Sequence, residues 1–390
     1  MRVALYNQPA GGGIGGSEFA VAVLAAALRS EHDVEILHHV NRMNRDELAS
    51  RAGVDLSGVR LRYVPPPSFE HPWSRNPGKR LVTARRWLAE LSQDRELFVV
   101  FTHHVPPFCH ADRGVLVVLF PFAERPSVEA KRPTPLARAG AAATRAFEDM
   151  VWRKRFETYD AKVAISGFTR GWTARRWDVS CDVVYPPVDT DFPSVEKEPL
   201  VLSVGRFSTT GQSKKQAELV RLFASVGPKR LPGWAYICAG DLGTSPDDRT
   251  YFDAVSGHAR DSAVTLLPNL PRDELRRLYS RASIFWHGTG LGEDDTRHPE
   301  RAEHFGIATV EAMAAGCVPV VIDKGGQREI VEHGVSGFLC ASEEELLEQT
   351  RALAFDRRRM ERMGAEARIR ARQFHRDRYV TRMLEICLRR

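Results

Sequence analysis

Short runs of β-branched and aliphatic residues alternate along the chain with longer stretches whose apolar positions recur every three to four residues. The first run is RVALYN (2–7). A glycine cluster follows it, and then SEFAVAVLAAALRS (17–30), which has helical periodicity. DVEILHHV predicts the next strand, and LFVVFTHH (97–104), VLVVLF (115–120) and AKVAIS (161–166) predict later ones. After VVYPPVDTDFPSVEKEP the alternation restarts. Its strands are LVLSVG (200–205), WAYICAG (234–240), AVTLLP (263–268), ASIFWHG (282–288) and CVPVVID (317–323), with helical stretches between them. Near-continuous apolar strands that alternate with helices predict parallel sheets covered on both faces. The expectation is therefore an α/β protein of two doubly wound domains, 1–190 and 191–370. Pro186-Pro187 and the polar stretch after it form the linker. The terminal stretch, residues 371–390, holds the amphipathic helical pattern YVTRMLEICLRR.

Length supports two cores, since 390 residues exceed what one average core organises. Composition is that of an ordinary soluble globular protein. The net charge of +6 is uneven, because residues 1–190 hold 26 Lys and Arg against 21 Asp and Glu. A basic half can meet nucleic acid, an anionic membrane or a phosphorylated substrate. Spread over 190 residues, this excess reads as solvated faces, and no nucleic-acid partner is expected. The six cysteines form no CxxC pair and no cluster with histidine at zinc spacing, which predicts reduced thiols in a cytoplasmic protein. MRVALYNQ reads as a first strand rather than a leader. No stretch approaches the ~18 apolar residues of a spanning helix.

Residues 11–16, GGGIGG, satisfy G-x-G-x-x-G between a strand and a helix, the dinucleotide-binding pattern. That reading also requires an acidic residue at the end of the second strand, for the ribose. Here Glu35 stands at the start of that strand and histidines at its end. The alternatives are a structural tight turn and a loop of another kind that faces an anion, with Gly15 and Gly16 at the helix entrance.

Three features of the second half fall at predicted C-terminal strand ends, where open α/β sheets bind ligands. In VGRFSTTGQSKKQ, Arg206 follows a strand, and Lys214 and Lys215 enter a helix. Fixed cations there suit a diphosphate, although lysines in such a loop are often only solvated. WHGTGLGEDDTRHPERAEHFG is a long polar segment carrying His287, and loops of that length are usually functional or mobile. In EHFGIATVEAMAAGCVPVV, Phe305-Gly306-Ile307 can open a helix whose free amides face an anion. Glu303 precedes that opening, and Glu311 lies in an otherwise apolar helix. A buried unpaired carboxylate costs several kcal/mol, so Glu311 should have partners.

These residues carry a resemblance. EHFGIATVEAMAAG, with two glutamates separated by seven residues, followed by PVV and GGQREIVEHGVSGFL, resembles the signature of glycosyltransferase family four. VGRFSTTGQSKKQ is similar to that family's Gly-Arg to Lys segment, GGSEFAVAVLAAAL to its first loop and helix, and ISGFTRGWTARRW with VVYPPVD to its interdomain segment. The resemblance implies a GT-B fold, two Rossmann-like domains facing a cleft, with the acceptor on the first and a nucleotide-sugar donor on the second. The last helix is then expected to cross back to the first domain. It also implies retention of anomeric configuration, no cofactor and no metal.

Carried over by motif, Glu303 holds hydroxyls of the donor sugar and Glu311 the nucleotide ribose. Arg206 and Lys214 neutralise the diphosphate, and the backbone of Phe305, Gly306, Ile307 and Ala308 cradles it. Gly15 and Gly16 bring amides of the first domain to the phosphates. His103 and His104 compete for the family's strand-end histidine, with His104 preferred slightly. KKQ replaces the family's common Lys-Gly pair and follows three extra residues, so Lys215 competes with Lys214.

Asp189-Thr190-Asp191 matches the Asp-x-Asp of metal-dependent transferases but sits in the linker, and it reads as a turn. The implied mechanism is same-face attack, with the leaving phosphate taking the acceptor's proton. The donor is a UDP- or GDP-sugar, and the acceptor a glycan, a lipid-linked molecule or a small molecule. The basic aromatic segments RAFEDMVWRKRFE and RGWTARRW suit either packed helices or peripheral contact with an anionic membrane. Two competing classes are a non-catalytic sugar-nucleotide-binding protein on the same fold and a nicotinamide oxidoreductase.

Overall fold

The computed structural model describes residues 1–8, 15–39, 43–64, 89–122, 150–209 and 212–389. They form two compact units. The first comprises Met1–Ile165, Thr169–Val184 and Val380–Arg390. The second comprises Ser166–Phe168 and Tyr185–Tyr379. Gly11, Gly12, Gly13 and Ile14 of the cluster, and part of RAFEDMVWRKRFE, lie outside the described residues.

The first unit is built on a seven-stranded parallel sheet. Its strands are β1 (Arg2–Asn7), β2 (Asp33–His38), β3 (Arg60–Tyr63), β4 (Leu97–Thr102), β5 (Arg113–Val118), β6 (Ala161–Ala164) and β7 (Asp182–Val183), in the order 3-2-1-4-5-6-7. All its pairings are parallel. The central strand β4, LFVVFT, is buried along its whole length, as a strand covered on both faces must be. The helix Gly16–Leu28 packs close because Ala20, Ala22 and Ala25 present little volume and are buried. β3, with the sequence RLRY, is an exposed edge strand, so no apolar run marks it. Trp152, Phe156 and Trp177 lie inside this core. Trp172 of the second basic segment is half-buried instead, with the guanidinium groups of Arg175 and Arg176 over its ring at 5.1 and 5.3 Å.

The second unit repeats the plan with six parallel strands: β8 (Glu198–Val204), β9 (Ala235–Gly240), β10 (Val264–Pro268), β11 (Ala282–His287), β12 (Val318–Ile322) and β13 (Phe338–Cys340). Their order is 10-9-8-11-12-13. Its centre is an aromatic cluster. The rings of Phe223, Tyr236 and Trp286 lie 5.3–5.9 Å apart, and the Trp286 indole donates to Thr350 Oγ1 at 2.7 Å. A Cβ on Gly240 would fall 1.8 Å from the Gly205 carbonyl oxygen, so only glycine lets those two strand ends approach.

The linker region is tied into this second unit. Asp189 accepts from Arg276 at 2.5 Å and lies 3.4 Å from Arg376 and 3.6 Å from Arg272. The Asp191 amide donates back to Asp189 Oδ1 at 3.2 Å, closing a turn. Asp189 therefore serves as the anchor of that turn.

All six cysteines are free and buried, and burial pushes the Cys238 thiol up to about 12. Among the described residues no helix is long and apolar enough to cross a membrane. The packing predicts that Trp286→Ala, which deletes the ring at the centre of the second core, costs about 3–5 kcal/mol of stability. Chemical denaturation checks this as a lower midpoint for the second unit.

Candidate functional site

In each sheet the strand order reverses between two neighbours, β1 and β4 in the first unit and β8 and β11 in the second. A doubly wound sheet has its crevice beyond the C-terminal ends of such a pair. In the second unit, β8 runs out into Gly205-Arg206 and β11 ends on His287. The side-chain amide of Gln216 closes the loop after β8 by donating to the carbonyls of Gly205 (3.0 Å) and Arg206 (2.8 Å). A Cβ on Gly205 would lie 2.7 Å from Lys214 Cγ. Glycine there lets the lysine stem lie across the strand end.

Lys214 and Lys215 consequently point to different partners. Lys214 Nζ donates to Glu303 Oε2 at 2.6 Å. Lys215 takes a left-handed conformation (φ 56°) and reaches Glu293 at 3.0 Å and Glu218 at 3.7 Å. His287 Nε2 meets the same Glu303 oxygen, also at 2.6 Å. Burial alone would raise the Glu303 carboxyl. The Lys214 ammonium and the His287 hydrogen bond override it and hold the group well below the usual carboxylate range. Burial pushes His287 down despite Glu303, so the imidazole is neutral at pH 7.

Two glycines place Glu303. A Cβ on Gly325, at φ +61°, would lie 2.1 Å from the Glu303 carbonyl oxygen, and one on Gly326 would lie 2.7 Å from the His304 carbonyl oxygen. With no side chain there, the loop presses against the Glu303–His304 backbone, and the Gly326 amide donates to the Glu303 carbonyl at 2.6 Å. Gly306 (φ 117°) then caps the helix Ile307–Ala314. The Thr309 and Val310 amides return to the Gly306 carbonyl. The amides of Ile307 and Ala308, at the very start, have no intrahelical acceptor.

Glu311 lies on that helix within a separate group. Burial raises its carboxyl; Arg272, 3.5 Å away, and the Tyr279 hydroxyl act against the rise. The Arg206 side chain is exposed and makes no ion pair among the described residues.

The long loop before Glu303 is pinned by charge. Asp295 is 7% exposed and lies 3.3 Å from Lys324 and 3.1 Å from Arg328. Glu293 spans Lys215 and Arg301. Sequence reasoning missed Asp295 and gave His287 no role. Nothing in GEDDTRH distinguishes Asp295 from exposed Asp294. The one available signal for His287 is its place at the end of an apolar run.

In the first unit, the strand ends carry Asn7 and Thr102-His103-His104. The Gly15 amide, expected to face phosphates, donates to Glu18 Oε2 at 2.9 Å, and Asn7 Nδ2 holds the other oxygen at 3.0 Å. Gly16 starts the helix. His103 is half-buried and stacks on Phe122 at 4.7 Å, whereas His104 is exposed. Burial, followed by repulsion from His104, lowers His103 to about 4. Of the two histidines, His103 is thus the one held neutral by its surroundings.

Residues 188–370 match the model of the family described as glycosyl transferases group 1. The second unit belongs to that family. The GDP-Man:Man(3)GlcNAc(2)-PP-Dol alpha-1,2-mannosyltransferase of Homo sapiens is 31% identical over 211 residues, which is 48% of this chain and 40% of that protein. The protein of the same name from Dictyostelium discoideum is 26% identical over 203 residues, 48% of this chain and 38% of that one. The chain thus matches less than half the length of these curated relatives. Among solved structures, a glycosyltransferase from Rickettsia africae superposes with a TM-score of 0.66 at 13% identity, covering 99% of this chain and 97% of that one. Anabaena Alr3699/HepE in complex with UDP and glucose gives 0.66 at 14%, covering 99% of both chains. Likeness at this level of identity shows the fold alone, which is that of the GT-B glycosyltransferases.

The environment of His103 makes a pH prediction. With a folded value near 4 against 6.5 unfolded, the unfolded chain binds the extra proton between those limits, so stability falls as pH drops through that window. His103→Gln should lose less stability than the parent between pH 7 and pH 5, measured as the shift in urea midpoint.

Proposed function

We propose that the protein is a retaining, metal-independent glycosyltransferase that moves mannose from GDP-mannose to a hydroxyl of a glycan or lipid-linked acceptor. The observation that carries this is the Glu303 carboxylate, held ionised at the switch point of the second unit between Lys214 and His287, four residues before the helix start at Ile307. Glycosyl transfer passes through an oxocarbenium-like state, as glycoside hydrolysis does, while charge builds on the leaving phosphate. Arg206, Lys214 and the amides of Ile307 and Ala308 are donors suited to that charge. They can supply the stabilisation that a metal provides in other transferases.

Glu303 accepts from sugar hydroxyls, and Glu311 from the ribose. The acceptor hydroxyl attacks from the face the nucleotide leaves and gives its proton to the departing phosphate, which preserves the anomeric configuration. The names of the curated relatives support GDP-mannose as donor. The neighbours solved with UDP share only the fold at this identity and do not decide the base. A lipid-linked acceptor is named for the same relatives. Exposed Arg170 and Arg175 of the first unit offer positive charge to an anionic membrane that would carry one.

Incubation with GDP-mannose and a panel of UDP-sugars, reading nucleoside diphosphate release and product mass, tests the reading. GDP-mannose should be consumed, and chelation with EDTA should leave the rate unchanged. Glu303→Gln and Arg206→Ala should each slow transfer about a hundred-fold, the scale of one lost transition-state interaction, with unchanged circular dichroism. Full activity in either variant overturns the assigned roles. Inertness of the parent protein toward every nucleotide sugar overturns the function.

A further inference from the structure

We infer that His287 is a positioning residue for the sugar-binding carboxylate: its Nε2–H, mounted on a rigid core strand, holds Glu303 Oε2 so that Oε1 faces the donor. This rests on the reading of Glu303 given under the proposed function.

Glu303 lies outside any helix or strand. Its backbone is held by the Gly326 amide and, among the described residues, its side chain is held by Lys214 and His287. A free glutamate side chain loses rotamer freedom when immobilised. A site that orders it only when the sugar arrives takes that loss out of binding, so a preset carboxylate is the better sugar acceptor.

The two holding groups differ in stiffness. Lys214 is a four-carbon stem with a terminal ammonium, and the proposed reaction needs its charge on the phosphate. Once Lys214 turns to that phosphate, its grip on Glu303 weakens. His287 has no such second task. It ends β11, whose six residues are all buried and which pairs with β8 on one side and β12 on the other. The pairing of His287 with Val321 places its backbone in the ladder itself. The imidazole is 3% exposed and lies parallel to the Phe285 ring, 6.3 Å away at 18°. Its burial and the neighbouring ring confine it.

The protonation follows from the partner. An ionised carboxylate only accepts, so the nitrogen 2.6 Å from Oε2 carries the hydrogen. With both donors converging on Oε2, the lone pairs of Oε1 are left for hydroxyl groups.

The test compares His287→Phe, which keeps a ring but removes the donor, with His287→Gln, whose Nε2–H can replace it. Affinity for GDP alone is measured by calorimetry, and kcat/KM by turnover of GDP-mannose. In the Phe variant we expect GDP affinity within about two-fold of the parent and kcat/KM lowered ten- to a hundred-fold, the range of one buried hydrogen bond to a charged group. The Gln variant should recover to within a few-fold. Combining His287→Phe with Glu303→Ala should be no worse than Glu303→Ala alone, since the histidine acts through the glutamate.

If the Phe protein does not fold, His287→Asn, whose amide is one bond too short, carries the same comparison. The assignment is overturned by unimpaired kcat/KM in the donor-deficient variant, by a Gln variant as impaired as Phe, by additive effects with Glu303→Ala, or by a parallel loss of GDP affinity. An active parent with any of these results removes only the role of His287. A parent inert to all nucleotide sugars removes the donor reading, and this assignment with it.

Discussion

The site depends on one desolvated carboxylate. Glu303 is 6% exposed, and an uncompensated charge at that depth would neutralise itself by taking up a proton. It stays ionised because an ammonium and an imidazole N–H meet on one of its oxygens, each at 2.6 Å. The other features of the site answer to that requirement. The donors must come from beyond the ends of β8 and β11, the neighbours at which the strand order reverses, because there the two following loops diverge and leave room between them.

Close backbone approach supplies the geometry. Gly205 lets the Lys214 stem cross the end of β8, and Gly325 and Gly326 let their loop lie directly on Glu303 and His304. Gly306, at φ 117°, turns the chain into the helix that bears Glu311. Each of these glycines sits where a Cβ would meet another group or where the backbone lies in the left-handed region. They form a chain of contacts from the end of one strand to the start of one helix, so the catalytic glutamate of the proposed reaction is set by packing as much as by charge.

Charge elsewhere in the second unit performs a structural task. Asp189 gathers Arg272, Arg276 and Arg376 around the linker turn, and Asp295 gathers Lys324 and Arg328 under the long loop. Both acids are largely buried and multiply paired, the condition under which buried charge is tolerated. The exposed Arg206 differs in lying outside these networks. A cation that is already neutralised has less to offer a diphosphate, and both lysines are paired, Lys215 with Glu293 and Lys214 with Glu303.

The amino-acid sequence by itself determined the two parallel sheets. Strands buried on both faces must be apolar throughout, and that signature is local, so LFVVFT, ASIFWH and their counterparts were legible within a residue or two of their observed ends. Glu303, Glu311, Arg206 and the helix opening at Ile307 were legible for a related reason, since charge placed beside an apolar strand or inside an apolar helix stands out. The edge strands β3, β7 and β13 were not, because they are short or exposed and carry no such run. Only tertiary structure gave Lys214 and Lys215 different partners, separated His103 from His104 by burial, gave Asp295 its cations and placed His287 on Glu303. Those outcomes rest on contacts between distant parts of the chain, 89 residues apart for Lys214 and Glu303. Neighbouring residues of identical chemistry diverge there according to which way the backbone turns, and no local pattern records that direction.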